Sequence, residues 1–253
     1  MREREITIYH TSDLHNHRAA LRRLSSLVDT RKDYLLLDSG DAIGGSSTLF
    51  SFSEPILDMM RDMGYGAMAI GNREFNYNRS VMKSRLRQAG FPVVSANLVD
   101  LRGKISGLFH PYTVLEKNGI KTGILGLTPV QYPENSLWER FFGFRFYSPY
   151  KAVNKYLPQV YTGCDVVIIL SHLGFKADQD LAGVISTEKK KPVFILGGHT
   201  HITLEQPDEV SGIPIFHPGP YGRAMGKLTI KMDVDVGSRE NKYYEYRLLK
   251  AAG

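Results

Sequence analysis

Asp13, His15, Asp41, Asn72, His172, His199 and His201 share a habit: each stands just beyond a short apolar run. Asp13-Leu14-His15 follows Ile6–Tyr9, Gly40-Asp41 follows Tyr34–Leu37, and Gly71-Asn72-Arg73-Glu74 follows Ala67–Ile70. Ser171-His172 follows Asp165–Leu170, and Gly197-Gly198-His199-Thr200-His201 follows Val193–Leu196. Imidazole nitrogen with carboxylate and amide oxygen suits Mn, Fe, Zn, Co or Ni better than Ca. Two such cations held close together repel, so a carboxylate between them is favourable, and Asp41 suits that place. In paired sites ~3.5–4 Å apart, a shared water becomes a hydroxide nucleophile near neutral pH, and both ions clamp a phosphoryl group. Taken singly each piece is ordinary: Asp-x-His and Gly-Asp are common turns, and a lone Ser-His is more often a hydrogen-bonded core histidine. The ordered set, each member after an apolar strand, is what points to a shared site.

For these groups to meet, the elements must deliver them to one edge. Strand and helix patterns alternate. Helices are predicted at Ala19–Val28, Pro55–Met63 with Ser53 as N-cap, and Ser80–Ala89 closed by Gly90. Others are predicted at Ala152–Val160, limited by Pro158, and at Ala177–Ser186. Phe91–Ser95 reads as a further strand, and Tyr112–Leu127 as a hairpin turning at Asn118-Gly119. Ile202–Glu205, Ile213–Phe216, Lys227–Met232 and Lys242–Leu249 read as late strands. This is an α/β order, with parallel pairs early and antiparallel ones late. Ligands of such sheets gather beyond the carboxyl ends of the strands. No repeat or linker divides residues 1–253, so a single domain is expected. Thr128–Pro149 reads as an irregular, aromatic-rich segment, either a lid or a loop packed on the body.

Composition narrows the classes. Apolar residues make up 42% and charged residues 23%, ordinary values for a globular chain. No apolar run approaches the ~20 residues that span a bilayer, so no membrane partner is expected. The first residues lack the apolar stretch of a signal peptide, and a cytoplasmic location is the expectation. The only cysteine is Cys164, which excludes a disulfide within residues 1–253 and thiolate metal clusters. The net charge of +6 suits phosphate-bearing partners, but plain solubility is the commoner reason for such a charge. Its one local basic run is Lys189-Lys190-Lys191.

The motifs His10-Thr11-Ser12-Asp13-Leu14-His15, Gly40-Asp41-Ala42-Ile43-Gly44 and Gly71-Asn72-Arg73-Glu74-Phe75-Asn76 resemble the calcineurin-like metallophosphoesterases, most closely their 5′-nucleotidase branch. Ser171-His172-Leu173-Gly174, Gly198-His199-Thr200-His201 and Gly219-Pro220-Tyr221-Gly222 extend the resemblance, which covers roughly residues 5–232. It implies a four-layer α/β/β/α sandwich with two facing mixed sheets. It also implies two divalent ions, Mn²⁺ first, with Fe, Zn, Co or Ni as alternatives. One ion would be held by Asp13, His15 and His201 with Asp41 shared, the other by Asp41, Asn72, His172 and His199. The implied reaction is hydrolysis of a small phosphorylated metabolite or nucleotide, with Arg73, Asn72 and Asp41 as the candidate catalytic groups.

Two departures qualify this. The branch carries His and Asp, an acid or phosphate-contacting dyad, where this chain has Arg73 and Asn76. Arginine cannot give up its proton at useful rates, but its fork can hold phosphoryl oxygens. The alternative has Arg73 pointing away and His217 or His10 as the acid. The chain also ends soon after the metal motifs, with no length for a base-binding module, so a nucleotide substrate is not implied. Three functions compete: a phosphomonoesterase, a phosphodiesterase or nuclease on the same fold, and a metal-binding protein without turnover. The chain shows no basic stripe interleaved with aromatics, which speaks against nucleic acid. Among the remaining polar residues, His10 is expected beside the site in a supporting hydrogen bond. Glu74 is expected at a helix start or in a salt bridge, His17 as a cap or facing solvent, and His110 in a loop.

Overall fold

Runs such as Tyr34–Asp38 and Val166–Ser171 are buried on both faces, as strands covered on two sides must be. The structure is a computed structural model that describes residues 3–48, 50–105, 107–185, 191–233 and 243–251. In chain order the first elements are β1 (Glu3–Thr11), α1 (Arg18–Ser25), β2 (Tyr34–Asp38), α2 (Pro55–Asp62), β3 (Tyr65–Ala69) and α3 (Arg79–Ala89). Next come β4 (Val93–Val94), β5 (Leu98–Asp100), β6 (Tyr112–Lys117), β7 (Ile120–Leu127), α4 (Leu137–Phe142), β8 (Phe144–Phe146) and α5 (Pro149–Gly163). The rest are β9 (Val166–Ser171), α6 (Phe175–Val184), β10 (Val193–Gly197), β11 (Asp208–Val210), β12 (Ile213–Phe216), β13 (Ala224–Asp233) and β14 (Tyr243–Lys250).

Two six-stranded sheets result, ordered β14-β13-β1-β2-β3-β4 and β11-β12-β10-β9-β7-β6. Both are mixed: β1, β2, β3 and β4 run parallel and so do β7, β9, β10 and β12, while β13, β14, β11 and β6 pair antiparallel. The period-2 geometry of a strand assigns the layers. Ile6, Ile8, Leu35 and Leu37 point between the sheets and meet Ile124, Ile168, Leu170, Phe194 and Leu196. Their sequence neighbours Tyr9 and Leu36 point outward, onto Leu21 and Leu24 of α1, Ile56 and Met60 of α2, and Met82 and Leu86 of α3. On the far side Val167, Ile169 and Ile195 carry Val153 and Leu157 of α5 and Leu181 of α6. The expected four-layer α/β/β/α sandwich is the observed fold.

Several elements differ from the sequence reading. Helix α5 runs through Pro158 rather than ending near it. An internal proline costs ~3 kcal/mol. Ala152, Val153, Leu157 and Val160 bury a continuous face that offsets this, and the Thr162 hydroxyl donates to the Pro158 carbonyl at 2.9 Å. Helix α2 is capped at Glu54, not Ser53, and without a side-chain bond, because the Glu54 carboxylate accepts from Thr48 and pairs with Arg85 at 3.3 Å. Ile202–Glu205 is not a strand and contributes only a bridge between Thr203 and Pro218. The 128–149 segment is more regular than expected. Strand β8 pairs with β5, and Phe75 packs against Tyr132, Phe144 and Phe146 at ring distances of 5.0–6.3 Å. Leu137, Trp138 and Phe141 remain exposed. The Asn118-Gly119 turn is as read, with both φ values positive (51° and 68°). Ser186, Lys189, Lys190 and Lys242 lie outside the described residues.

Candidate metal centre

Strands β1, β2 and β3 of one sheet and β9 and β10 of the other end at a common edge, and the loops beyond those ends are stitched together. Register sets the level: Thr11 lies opposite Asp38, and Gly197 opposite Ser171. The Asp13 amide donates to the Gly40 carbonyl at 2.9 Å and the His15 amide to Asp41 at 2.9 Å. Across the sheets, the His199 amide donates to Asp13 Oδ2 at 3.0 Å.

Two clusters of possible metal ligands follow, Asp13 with His15 and His201, and Asp13 with Asp41 and His172. In the first, His15 Nε2 and His201 Nε2 face each other at 3.0 Å and stand 3.9 and 3.4 Å from Asp13 Oδ1. In the second, His172 Nε2 lies 3.3 Å from Asp41 Oδ1 and 3.9 Å from Asp13 Oδ1. His199 joins this side, its ring centred 5.1 Å from that of His172 and its Nδ1 3.1 Å from Asn72 Oδ1. All seven residues singled out from the sequence therefore gather at one place. Asp13 belongs to both clusters and Asp41 to one, and the Asp41 charge also acts on the His15 ring of the other. Asp41 is held by its neighbour: Oδ1 accepts the Arg73 amide at 2.7 Å and Oδ2 lies 3.8 Å from Arg73 Nε.

The donor set fits divalent cations. His172 Nδ1 donates to the Ser39 carbonyl at 2.7 Å, which leaves Nε2 wholly buried with no hydrogen-bond partner. A buried orphan nitrogen beside two carboxylates is costly unless a cation takes it. Burial works to lower the His172 pKa, but Asp41, Asp13 and Glu74 outweigh it and push it up to about 9. A proton is thus drawn to the spot where a metal would bind. Burial holds the His15 and His199 rings below the ordinary histidine value, and so in the neutral form that metals require. Five of the seven residues, Asp13, His15, Asp41, His199 and His201, have φ between 44° and 77°. Non-glycine residues in that region cost roughly 1–3 kcal/mol each and collect at functional sites. Gly71 lets the loops close up, because a Cβ there would fall onto Asp41 Oδ1.

The Calcineurin-like phosphoesterase family model matches residues 6–203. This chain belongs to the calcineurin-like phosphoesterase family. Among curated relatives of this phosphoesterase, a snake venom 5′-nucleotidase of Gloydius brevicauda is 28% identical, over 90% of this chain and 45% of its own length. The crystal structure of a 5′-nucleotidase precursor from Thermus thermophilus superposes with a TM-score of 0.77 at 26% identity, covering 98% of this chain and 54% of that one. YfkN of Bacillus subtilis, at 23% identity, shares the fold with a TM-score of 0.79 over 100% of this chain and 92% of that one. This phosphoesterase chain spans about half the length of most of the curated relatives it matches.

The branch's acid position is held here by Arg73, whose side chain is about one-third exposed at the rim of the site and lies over Gly45. Asn76 Oδ1 accepts the Asn78 amide at 2.8 Å, an arrangement that leads into α3. Neither alternative acid reaches the rim, because His10 and His217 are both 1% exposed beneath the strand ends. His217 Nε2 is held by Asp178 Oδ2 at 2.8 Å.

His10 supports the centre from below. Ser39 Oγ donates to the Leu196 carbonyl at 2.6 Å, so the 2.7 Å contact with His10 has the His10 Nε2–H donating. The Ser39 carbonyl in turn orients His172. Burial, then His217, lowers the His10 pKa to about 3. The unfolded chain therefore binds a proton below pH 6.5 that the folded chain refuses, so stability falls as pH drops through that range. The His10 contribution is a loss of ~2 kcal/mol between pH 6.5 and 5. Urea unfolding at both pH values should show a loss smaller by that amount in His10→Asn; an unchanged loss contradicts the assignment.

Glu74 is not a helix-start residue, and among the described residues it forms no salt bridge. Its buried carboxylate accepts the amides of Asp41 (2.8 Å), Gly71 (2.9 Å), Ala42 (2.8 Å) and Ile43 (3.3 Å). It ties the Asp41 and Asn72 loops into one unit. Each orphaned buried amide costs ~1–3 kcal/mol, so Glu74→Ala is expected to destabilise by at least ~3 kcal/mol in urea unfolding. A loss under ~1 kcal/mol would show that the loops hold without it. Tyr221, singled out in the Gly219–Gly222 motif without a role, also joins the centre. Its amide donates to the Asp13 carbonyl at 2.8 Å, and its hydroxyl lies 3.5 Å from His201 Nδ1. His17 caps α1 without a side-chain bond, its Nδ1 lying 3.0 Å from the Leu14 carbonyl. His110 is exposed beside the end of β4, bridged to Val94.

Proposed function

We propose that this chain is a metal-dependent hydrolase of phosphate monoesters borne by small metabolites, with residues 1–253 working as one metallophosphoesterase domain. The observation that carries this reading is the pair of adjoining ligand clusters with Asp13 common to both. Asp13, His15 and His201 would hold one divalent ion, and Asp41, Asn72, His172 and His199 with Asp13 the other. Mn²⁺ is the first choice, and Fe, Zn, Co and Ni suit the same donors. When bound, such ions supply Lewis-acid charge to phosphoryl oxygens and lower the pKa of water.

The side chains do the rest. Asp13 and Asp41 place negative charge where two cations must be held together. Glu74 and Ser39 fix the loops and rings that aim the ligands. Arg73 stands beside Asp41 with a fork suited to two phosphoryl oxygens. It offers charge and no transferable proton. Leaving groups that depart as stable anions, aryl oxides and phosphates, are then hydrolysed readily, and alkoxides poorly. The 5′-nucleotidase names of the relatives favour the monoester over the diester.

The test is turnover of 4-nitrophenyl phosphate by protein loaded with Mn²⁺, with and without chelator. Turnover that vanishes on chelation and returns with Mn²⁺ supports the reading. Protein that binds metal yet turns over no monoester, diester or anhydride would make it a metal-binding protein instead.

A further inference from the structure

Beside the candidate metal ligands, α1 and α2 enclose an open groove of about 1140 Å³. Asn16, His17 and Tyr221 form the end nearest the site. The rings of His17 and Tyr221 lie 4.9 Å apart, and the Tyr221 ring is 5.2 Å from His201. The groove thus ends beside the ligand cluster, with Tyr221 between them. Arg18, Arg22 and Arg23 of α1 and Arg223 bring four guanidinium groups to its walls. Among the described residues none of the four forms an ion pair, and Arg223 lies over the Tyr221 ring at 5.5 Å. The two acids of the groove, Asp58 and Asp62, are already engaged by Arg61 at 2.9 and 3.4 Å.

Folding accounts for only part of this charge, since Arg22 and Arg23 lie in the last turn of α1, where cations suit the helix dipole, and Arg18 and Arg223 do not. Helix α1 has no acidic residue in its first turn, where Arg18 opposes the helix dipole. Arg18 and Arg22 stand at i and i+4, a like-charge spacing that weakens a helix. Only Ala20, Leu21 and Leu24 of this helix are buried, so the arginines are not needed for packing. Arginine forks match phosphate oxygens in pairs. Small-molecule sites run from ~300 to ~1000 Å³, so the groove has room for a diphosphate and more.

We propose that this groove holds a second anionic group of the substrate, a phosphate or polyphosphate tail, while the metal centre takes the scissile phosphoryl group. The identity of the scissile group rests on the hydrolytic reading above; the anion site itself does not. Inorganic triphosphate is the probe, since its tail is anionic and its leaving group needs no acid.

Two arms keep the readings apart. In calorimetry on chelated, dialysed full chain, triphosphate binds, and its affinity falls as salt rises. R22E/R23E weakens binding about tenfold or more, and R22Q/R23Q, which keeps the helix without reversed charge, weakens it less. In turnover by Mn²⁺-loaded protein, the ratio of kcat/KM for triphosphate to that for 4-nitrophenyl phosphate falls about tenfold in R22E/R23E, through KM. Equal triphosphate binding by wild type and both variants would overturn the proposal. So would a single-stranded oligonucleotide that displaces triphosphate at far lower concentration, which would assign the groove to nucleic acid. Binding that behaves as stated without turnover of either substrate would uphold the anion site and sink the hydrolytic reading.

Discussion

Asp13→Asn is expected to lower kcat/KM on an aryl phosphate by ~10²–10³-fold, the scale of losing one preorganised electrostatic element, and to strip both ions from the purified protein. Asn keeps the shape and removes the charge. Asp13 is the carboxylate common to both clusters, with imidazole nitrogens at 3.4 and 3.9 Å from its Oδ1. It also accepts the His199 amide, so its replacement disturbs the loop that carries two further ligands. Asp41→Asn leaves the Asp13 charge in place and should leave part of the metal bound. Steady-state kinetics with metal analysis of both variants checks this. An Asp13→Asn protein that keeps two ions, or more than about a tenth of wild-type turnover, contradicts the assignment.

The second large effect concerns the leaving group. Arg73→His combined with Asn76→Asp is expected to raise kcat/KM for an alkyl phosphate by ~10²-fold or more relative to an aryl phosphate, because positioned acid catalysis is worth ~10²–10⁴-fold. The physical basis is the rim. Arg73 is the partly exposed cation next to Asp41, and the only other histidines considered as acids, His10 and His217, are sealed under the strands. A histidine there can deliver a proton near neutral pH; an arginine cannot. Asn76 now accepts the Asn78 amide, and Asp keeps that acceptor while adding the charge that would orient a histidine. Arg73→His alone should give a smaller gain. If neither variant moves the alkyl-to-aryl ratio, Arg73 is not what sets leaving-group preference.

Much of this centre was legible because chemistry restricts it to few residue types. A pair of cations needs oxygen and imidazole, and an α/β sheet offers its strand ends, so apolar runs followed by Asp, Asn or His carried the information. The four layers came from the motif resemblance, and the alternation of Ile6, Ile8 and Tyr9 accounts for them only once the sheets are seen. What stayed hidden depends on tertiary packing. Glu74 reads as a helix-start or salt-bridge residue until the amides of the distant Asp41, Ala42 and Ile43, and of nearby Gly71, turn toward it. Pro158 reads as a helix stop, but a buried face two turns long overrides a local penalty. Strands β5 and β8 are three residues each and separated by a long stretch of chain, so no periodicity could register them.

Anomalous diffraction from crystals grown with Mn²⁺ tests the central claim most directly. Two peaks ~3.5–4 Å apart are predicted, one bonded by His15 and His201, the other by His172 and His199, with Asp13 or Asp41 between them. A single peak, two peaks lying outside this group of residues, or none at all would contradict it.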